Sequence, residues 1–347
     1  MIRSVFIVVA LILLVGFGYF YSHKVLKTTP VLPSNNPITQ IAQPLETNPL
    51  QITEERKKAY PGSDLKIEQT LADGSNYHQY IASYMSDGLK IYGLLTVPIG
   101  QKPATGWPVI IFNHGYIPPT EYRTTERYVA YVAGFASNGY IVFKSDYRGN
   151  GSSEGQPLGA YYSDAYATDV LNALSTLKKY KDADPNRIGM WGHSMGGNIT
   201  LRSLVVDPKD IKVAVIWGGV VGTYNDLMYN WQRNVTYRPP ANELALRNRF
   251  QGGLVEKYGS PSANLKFWDS IDPNSYLSDI TAPIQLDVGG ADEEVPVAFS
   301  QGLYSRLQAL HKTSEIYVYP GDDHNIAASF NLAEQRSLEF FNKYLKN

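Results

Sequence analysis

Apolar and polar positions along the chain predict three consecutive regions. Residues 4–22 carry no charged side chain, and their apolar run lies near the lower limit of the ~17–25 residues that span a bilayer as a helix. Residues 24–53 have no hydrophobic period and are interrupted by prolines, so they predict an extended tether. Residues 54–347 alternate apolar runs with amphipathic segments of helix length, which predicts one folded domain.

The folded region alternates strand patterns with helix patterns. A hairpin is predicted over residues 77–98, because alternating segments flank the turn Ser86-Asp87-Gly88. Apolar runs predict further strands at Val109–Phe112, Ile141–Lys144, Ile188–Trp191, Val213–Trp217, Ile284–Val288 and Ile316–Tyr319. Helical spacing predicts helices at Tyr128–Asn138, Tyr166–Tyr180 and Ile199–Val206. This order indicates an α/β fold, with a mostly parallel central sheet and helices on both faces.

Residues 222–280 interrupt this alternation after the sixth predicted strand. They are rich in Tyr, Trp, Asn and Pro and are too long for a simple crossover. We predict a cap insertion over the carboxyl edge of the sheet, where open α/β sheets bind ligands. Its aromatic residues either line a pocket or form a small core of their own: Tyr229, Trp231, Tyr237, Trp268 and Tyr276.

The apolar N-terminus predicts a transmembrane signal anchor over residues 1–23. Bulky aromatic residues follow Gly16-Phe17-Gly18, which is a poor cleavage site, so an uncleaved anchor is favoured over a cleaved signal peptide. We therefore expect a cell-membrane protein that crosses the membrane once and has an extracytoplasmic catalytic domain. The alternative is secretion after signal cleavage. The flanking positive charges do not decide the orientation. A reporter active only in the cytoplasm, fused after Asn347, distinguishes the two orientations.

The composition excludes several classes of chemistry. The 347 residues include no cysteine, which excludes a thiol nucleophile, a thiolate zinc site, an iron–sulfur cluster and every disulfide. The formal net charge of −1 lacks the basic surplus of a nucleic-acid-binding protein, so no nucleic-acid partner is expected.

The strongest chemical signal is the segment Gly192-His193-Ser194-Met195-Gly196, which has the form G-x-S-x-G. It follows an apolar strand and precedes an apolar helix. A serine on such a sharp turn sits in strained backbone, which explains the need for glycines on both sides. We therefore predict that Ser194 is a nucleophile, whereas the structural alternative is a serine that caps a helix.

A serine nucleophile needs a base, and the base needs an acid that fixes its tautomer. Of six histidines, His324 is the one in the loop after the last predicted strand. Asp292 lies in the loop that follows the preceding strand, with Glu293 and Asp287 as alternatives. The resulting order Ser, Asp, His along the chain is itself discriminating, because other triad folds use different orders.

Two amide donors are expected to stabilise an oxyanion. The first is the N–H of Met195, the residue after the nucleophile, beside the N-terminus of the following helix. The second is the N–H of Tyr116, in the loop after the strand that ends at Phe112. The Tyr116 hydroxyl is a further candidate donor, and simple packing is the alternative role for this residue.

Together these segments resemble an α/β-hydrolase, specifically the prolyl oligopeptidase-type catalytic domain and its dienelactone-hydrolase and esterase relatives. The resemblance rests on NHGY at 113–116, SDYRGNGSSEG at 145–155, DADPNRIGMWGHSMGG at 182–197, GGADEEVP at 289–296 and GDDHNI at 321–326. The peptidases typically carry a bulky or aromatic residue before the nucleophile and a tyrosine after it. Here those positions are His193 and Met195, which look more like esterases and lipases.

The expected function is therefore that of a serine hydrolase that cleaves an ester or peptide bond through an acyl-enzyme. The resemblance favours a prolyl oligopeptidase-like peptidase acting on short peptides, and a carboxylesterase or acyl hydrolase is the alternative. A non-catalytic binding module on the same fold is a third reading, which an intact triad disfavours. The mechanism requires no metal or organic cofactor. The sequence leaves the oligomeric state open.

Overall fold

The computed structural model describes residues 47–233 and 241–346. In this part of the chain one nine-stranded sheet has the order β1-β2-β3-β5-β4-β6-β7-β8-β9. The strands are β1 (Lys66–Thr70), β2 (Tyr77–Ser86), β3 (Leu89–Pro98), β4 (Trp107–Asn113), β5 (Ile141–Ser145), β6 (Ala183–His193), β7 (Ala214–Trp217), β8 (Ile284–Gly289) and β9 (Ser314–Tyr319). Strands β4 to β9 pair in parallel, whereas β1, β2 and β3 are antiparallel. The mostly parallel sheet of the prediction is confirmed.

Helices connect the parallel strands and form part of the insertion after β7, while one helix precedes the first strand and one follows the last. They are α1 (Ile52–Glu55), α2 (Val129–Ser137), α3 (Ala165–Lys178), α4 (Met195–Val206), α5 (Ala241–Tyr258), α6 (Leu265–Ile271), α7 (Val297–Ala309) and α8 (Phe330–Leu345). The insertion also contains a π-helical turn at Asp226–Asn230 and a 3₁₀ segment at Pro273–Asp279.

Two hydrophobic cores lie on the two faces of the sheet. Alternate residues of a strand point to opposite faces, so in β4 Ile111 joins one core and Ile110 the other. The first core includes side chains of α3, α4 and α7, and the second includes side chains of α2 and α8. Burial on both faces explains why the central strands are continuous apolar runs in the sequence.

The predicted hairpin is present as β2 and β3. Ser86 pairs with Leu89 across a two-residue turn. Asp87 and Gly88 both have positive φ, at 51° and 78°. An Asp-Gly turn of this kind has the twist that antiparallel strands require, which is why these two residues predict the hairpin.

Strand β1 is a correction to the sequence-based topology. All five of its residues are exposed, so it lacks the apolar alternation by which strands are predicted. It adds an edge strand before the hairpin, and the cap insertion therefore follows the seventh strand of the chain rather than the sixth.

The folded unit also begins earlier than residue 54. Thr47 to Asn347 forms one compact unit, in which Leu50 and Ile52 are buried. The predicted anchor over residues 1–23 and residues 24–46 of the predicted tether lie outside the described residues, so the anchor and the extracytoplasmic location stay predictions. Among the residues that the structure describes, none of the helices has both the length and the apolar character needed to cross a membrane.

Candidate active site

Ser194 sits on a sharp turn between β6, which ends at His193, and α4, which begins at Met195. Its backbone has φ 55° and ψ −118°, a strained conformation for a residue with a side chain. Hydrogen bonds hold it there: Ser194 N–H donates to Trp217 O at 3.0 Å, and Val220 N–H donates to Ser194 O at 3.0 Å. Helix α4 begins four residues before the predicted Ile199, so the turn leads directly into the helix.

The neighbouring glycines are required by close backbone approach. A Cβ atom at residue 196 would lie 1.8 Å from Asn113 O. A Cβ atom at residue 192 would lie 2.5 Å from Gly196 O and 2.4 Å from Thr200 Oγ1. The steric role assigned to these two glycines from the sequence is therefore confirmed.

His324 and Asp292 meet beyond the ends of β9 and β8. His324 Nδ1 donates to Asp292 Oδ2 at 2.8 Å, and their side chains are 8% and 0% exposed. The other carboxylate oxygen accepts the N–H groups of Glu294 at 2.8 Å and Val295 at 2.9 Å. Because Nδ1 carries the proton of this hydrogen bond, Nε2 of the neutral ring is left as the basic nitrogen.

The structure brings four of the predicted site residues to one cavity of about 550 Å³. Ser194, Met195, His324 and Tyr116 all line it. Asp292 does not line the cavity and contacts His324 instead. Met195 is the first residue of α4, and the first N–H groups of a helix have no partner within the helix, so they suit a bound anion.

Asp287, an alternative to Asp292, has a structural position. It is fully buried inside β8, where it accepts hydrogen bonds from Gln285 Nε2 and Tyr319 Oη, both at 2.7 Å. Burial raises the pKa of the Asp287 carboxyl to about 7. Its side-chain partners are thus Gln285 and Tyr319, whereas the partner of His324 is Asp292.

This raised pKa makes the stability depend on pH. The folded carboxyl keeps its proton up to about pH 7, whereas an unfolded one loses it near pH 4. The folded state therefore binds more protons in that window, and the free energy of unfolding is expected to fall as pH rises from about 4 to 7. Asp287→Asn should remove this contribution, so the variant gains stability relative to the wild type by at most ~1.4 kcal/mol per pH unit. Urea titrations of both proteins at four pH values test this, and parallel pH dependences contradict it.

Tyr128 and Arg127 also line the cavity, and no sequence pattern indicates that they are functional. Arg127 and Tyr128 have φ values of 56° and 55°, so α2 begins at Val129 rather than at the predicted Tyr128. The ammonium of Lys144, a buried residue, donates to Glu126 O at 3.0 Å and Arg127 O at 3.3 Å. Burial lowers the pKa of Lys144 to about 8. This loop is thus held from inside the protein.

Residues of the cap insertion complete the cavity. Trp231 lines it and donates from Nε1 to Glu294 O at 2.8 Å, while its ring packs edge-on against Tyr161. Arg233 also lines it and pairs with Glu294 at 2.7 Å. Of the aromatic residues predicted to line a pocket or to form a core, Trp231 therefore lines the cavity. Trp268 is buried against Phe267, Tyr276 packs on the first core and Tyr229 is exposed. Tyr237 lies outside the described residues.

Within residues 47–233 and 241–346, no three His, Asp or Glu side chains come together in a group that could hold a metal ion.

Comparison with known proteins gives three kinds of match. The profile of the prolyl oligopeptidase family matches residues 126–347. A curated relative, the "Uncharacterized peptidase YtmA" of Bacillus subtilis (strain 168), is 25% identical over 268 residues, which cover 77% of this chain and 93% of the relative.

Two kinds of solved structure share the fold. The acylaminoacyl peptidase of Pyrococcus horikoshii matches with a TM-score of 0.61 and 23% identity over 79% of this chain and 42% of its own. The acetyl xylan esterase from Paenibacillus sp. R4 also has a TM-score of 0.61, with 19% identity over 84% of this chain and 91% of its own. The α/β-hydrolase fold is thus shared by peptidases and esterases, and the fold alone does not separate the two activities.

Proposed function

The chain belongs to the prolyl oligopeptidase family of serine hydrolases, and from that premise we propose that Ser194, Asp292 and His324 are its catalytic triad. The observation that carries the proposal is the 2.8 Å hydrogen bond from His324 to Asp292, with His324 lining the same cavity as Ser194. An imidazole oriented by a buried carboxylate is the arrangement that activates a serine hydroxyl.

The proposed reaction has two steps. His324 Nε2 takes the proton of Ser194 Oγ as the oxygen attacks the carbonyl carbon, and the amides of Met195 and Tyr116 stabilise the oxyanion. The intermediate collapses when His324 returns the proton to the leaving group. Water, activated by the same imidazole, then attacks the acyl-serine and releases the acid.

We propose short peptides as the substrates. The relative YtmA is named a peptidase, and family membership favours the same reaction type. The second candidate is a carboxylesterase or acyl hydrolase, which is favoured by His193 and Met195 on either side of the nucleophile. Both candidates use the same triad and differ in the leaving group.

The nucleophile can be tested by covalent labelling. A fluorophosphonate probe is expected to label the native full-length chain and to leave heat-denatured protein unlabelled, because only the folded site activates the serine. Trypsin cleaves after Arg187 and Arg202, and the peptide between these sites contains Ser194 as its single serine. The label should map to this peptide by mass spectrometry. A label elsewhere contradicts the assignment of Ser194.

The substrate class is tested with the same protein. A peptidase is expected to hydrolyse aminoacyl or prolyl anilides of one to three residues as well as p-nitrophenyl esters. Turnover of the esters without any turnover of the anilides excludes the peptidase and establishes the esterase.

A further inference from the structure

Four polar groups of residues that line the cavity form a hydrogen-bonded bridge. Gly115 N–H donates to Tyr128 Oη at 2.9 Å, and Tyr128 Oη lies 2.7 Å from His193 Nδ1. His193 Nε2 lies 3.1 Å from the backbone carbonyl of His324. We call this series of contacts the Tyr128–His193 bridge. It runs from the loop that precedes Tyr116 to the backbone of the proposed base.

Each proton of the bridge has one possible position. The His324 carbonyl oxygen can only accept, so His193 Nε2 must carry a proton and donate it. In a neutral imidazole Nδ1 is then an acceptor, so the Tyr128 hydroxyl must donate to it. The hydroxyl oxygen in turn accepts from Gly115 N–H. Burial lowers the pKa of His193 to about 3, so the ring is neutral at ordinary pH.

The bridge lies in direct contact with the nucleophile. A Cβ atom at Gly115 would lie 3.1 Å from Ser194 Cβ, 3.2 Å from His193 Nδ1 and 2.6 Å from Tyr128 Oη. Loop, nucleophile and bridge therefore pack without spare room. The left-handed backbone of Tyr128 points to the same conclusion, because strain of this kind persists only where the surroundings enforce it.

We propose that Tyr128 and His193 are positioning residues, which fix the oxyanion loop and the general base relative to each other. The inference rests on the proposed function, since it takes His324 as the base and the Tyr116 amide as an oxyanion donor. Both residues line the cavity, and their proposed role acts through Gly115 and the backbone of His324. The two residues hold the oxyanion loop and the general base, which come from distant parts of the chain, at a fixed separation. A displacement of about 1 Å in such groups can slow a reaction ~100-fold.

The test is steady-state kinetics on variants of the full-length chain. Tyr128→Phe and His193→Phe should each lower kcat by ~10- to 100-fold while KM changes by less than about threefold, because positioning acts mainly in the transition state. The kcat of the double variant should be no lower than that of the less active single variant, since each change already breaks the same bridge. His193→Gln keeps one acceptor and one donor and should recover most of the lost kcat.

Tyr140→Phe is the matched control. It removes one hydroxyl that donates to Asn342 Oδ1 at 2.8 Å, from a buried tyrosine that does not line the cavity. It should lose a similar amount of thermal stability but keep wild-type kcat. An equal loss of kcat in this control would show that general destabilisation explains the effect, and would overturn the inference.

Other outcomes are equally decisive. An unchanged kcat in Tyr128→Phe and His193→Phe overturns the proposed positioning role. A double variant whose kcat falls by the product of the two single losses, or a change confined to KM, overturns it as well. Failure of the proposed function looks different: the wild type then takes no fluorophosphonate label at Ser194. If the wild type is labelled and the bridge variants are labelled at the same rate, only the inference about the bridge fails.

Discussion

Replacing Ser194 by alanine is expected to lower kcat for an ester substrate by about 10⁶-fold, because the acyl-enzyme route then has no nucleophile. His324→Ala is expected to cause a loss of similar size, since the serine hydroxyl is a weak nucleophile without its base. The two residues act as one unit, so the double variant should be no slower than either single variant. These rates are measured with a p-nitrophenyl ester and purified full-length protein at neutral pH.

A second histidine provides the control. His78 in β2 pairs with Asp73 at 2.9 Å, and its side chain is 44% exposed. His78→Ala should keep kcat within about twofold of the wild type, because surface substitutions of this kind have small effects. A Ser194→Ala variant that retains more than about a tenth of the wild-type kcat would place the chemistry on another residue.

Removing the guanidinium of Arg202 is expected to lower the free energy of unfolding by ~3–5 kcal/mol. Arg202 lies on α4 and pairs with Glu55 at 2.6 Å, and both side chains are 1% exposed. Its remaining donors bind Leu50 O at 2.6 Å and Ile271 O at 3.1 Å. Arg202→Met would leave a buried carboxylate and two carbonyl oxygens without their donor, which is the costly way to break a buried ion pair.

Denaturation in guanidinium chloride measures this loss. The double variant Glu55→Gln, Arg202→Met should recover part of it, because no uncompensated charge remains. Lys57→Met is the control, since the exposed pair of Lys57 with Glu54 on α1 should contribute less than about 1 kcal/mol. Equal losses in Arg202→Met and Lys57→Met would mean that the buried pair has no special role in stability.

The parts of the fold that could be predicted are those with local patterns. The central strand β4 is buried on both faces, and its apolar run identified it. The exposed strand β1 offers no such run, because one neighbouring strand at the edge of a sheet is enough to hold it. Leu50 and Ile52 fall within the predicted tether because two apolar side chains among prolines and polar residues form no period, yet both are buried.

The candidate site likewise has residues that a local pattern predicts and residues that it does not. The turn from Gly192 to Gly196 is predictable because strain and close packing demand particular residues at fixed spacing. His324 and Asp292 were found by their positions after strands, and the structure places them in contact. Tyr128 had no such signal. Its partners Gly115 and His193 are separated by many residues, so their contact depends on tertiary packing that no local pattern records.

The early start of the folded unit has a consequence for limited proteolysis. Leu50 supplies a carbonyl and Glu55 a carboxylate to Arg202 on α4. A protease that cuts the chain before Thr47 would leave the compact unit and its buried ion pair intact. A cut between Glu55 and β1 would instead separate this carboxylate from Arg202, and the folded unit is then expected to lose stability. The site of a single cleavage within about twenty residues thus determines whether the fragment keeps its buried ion pair.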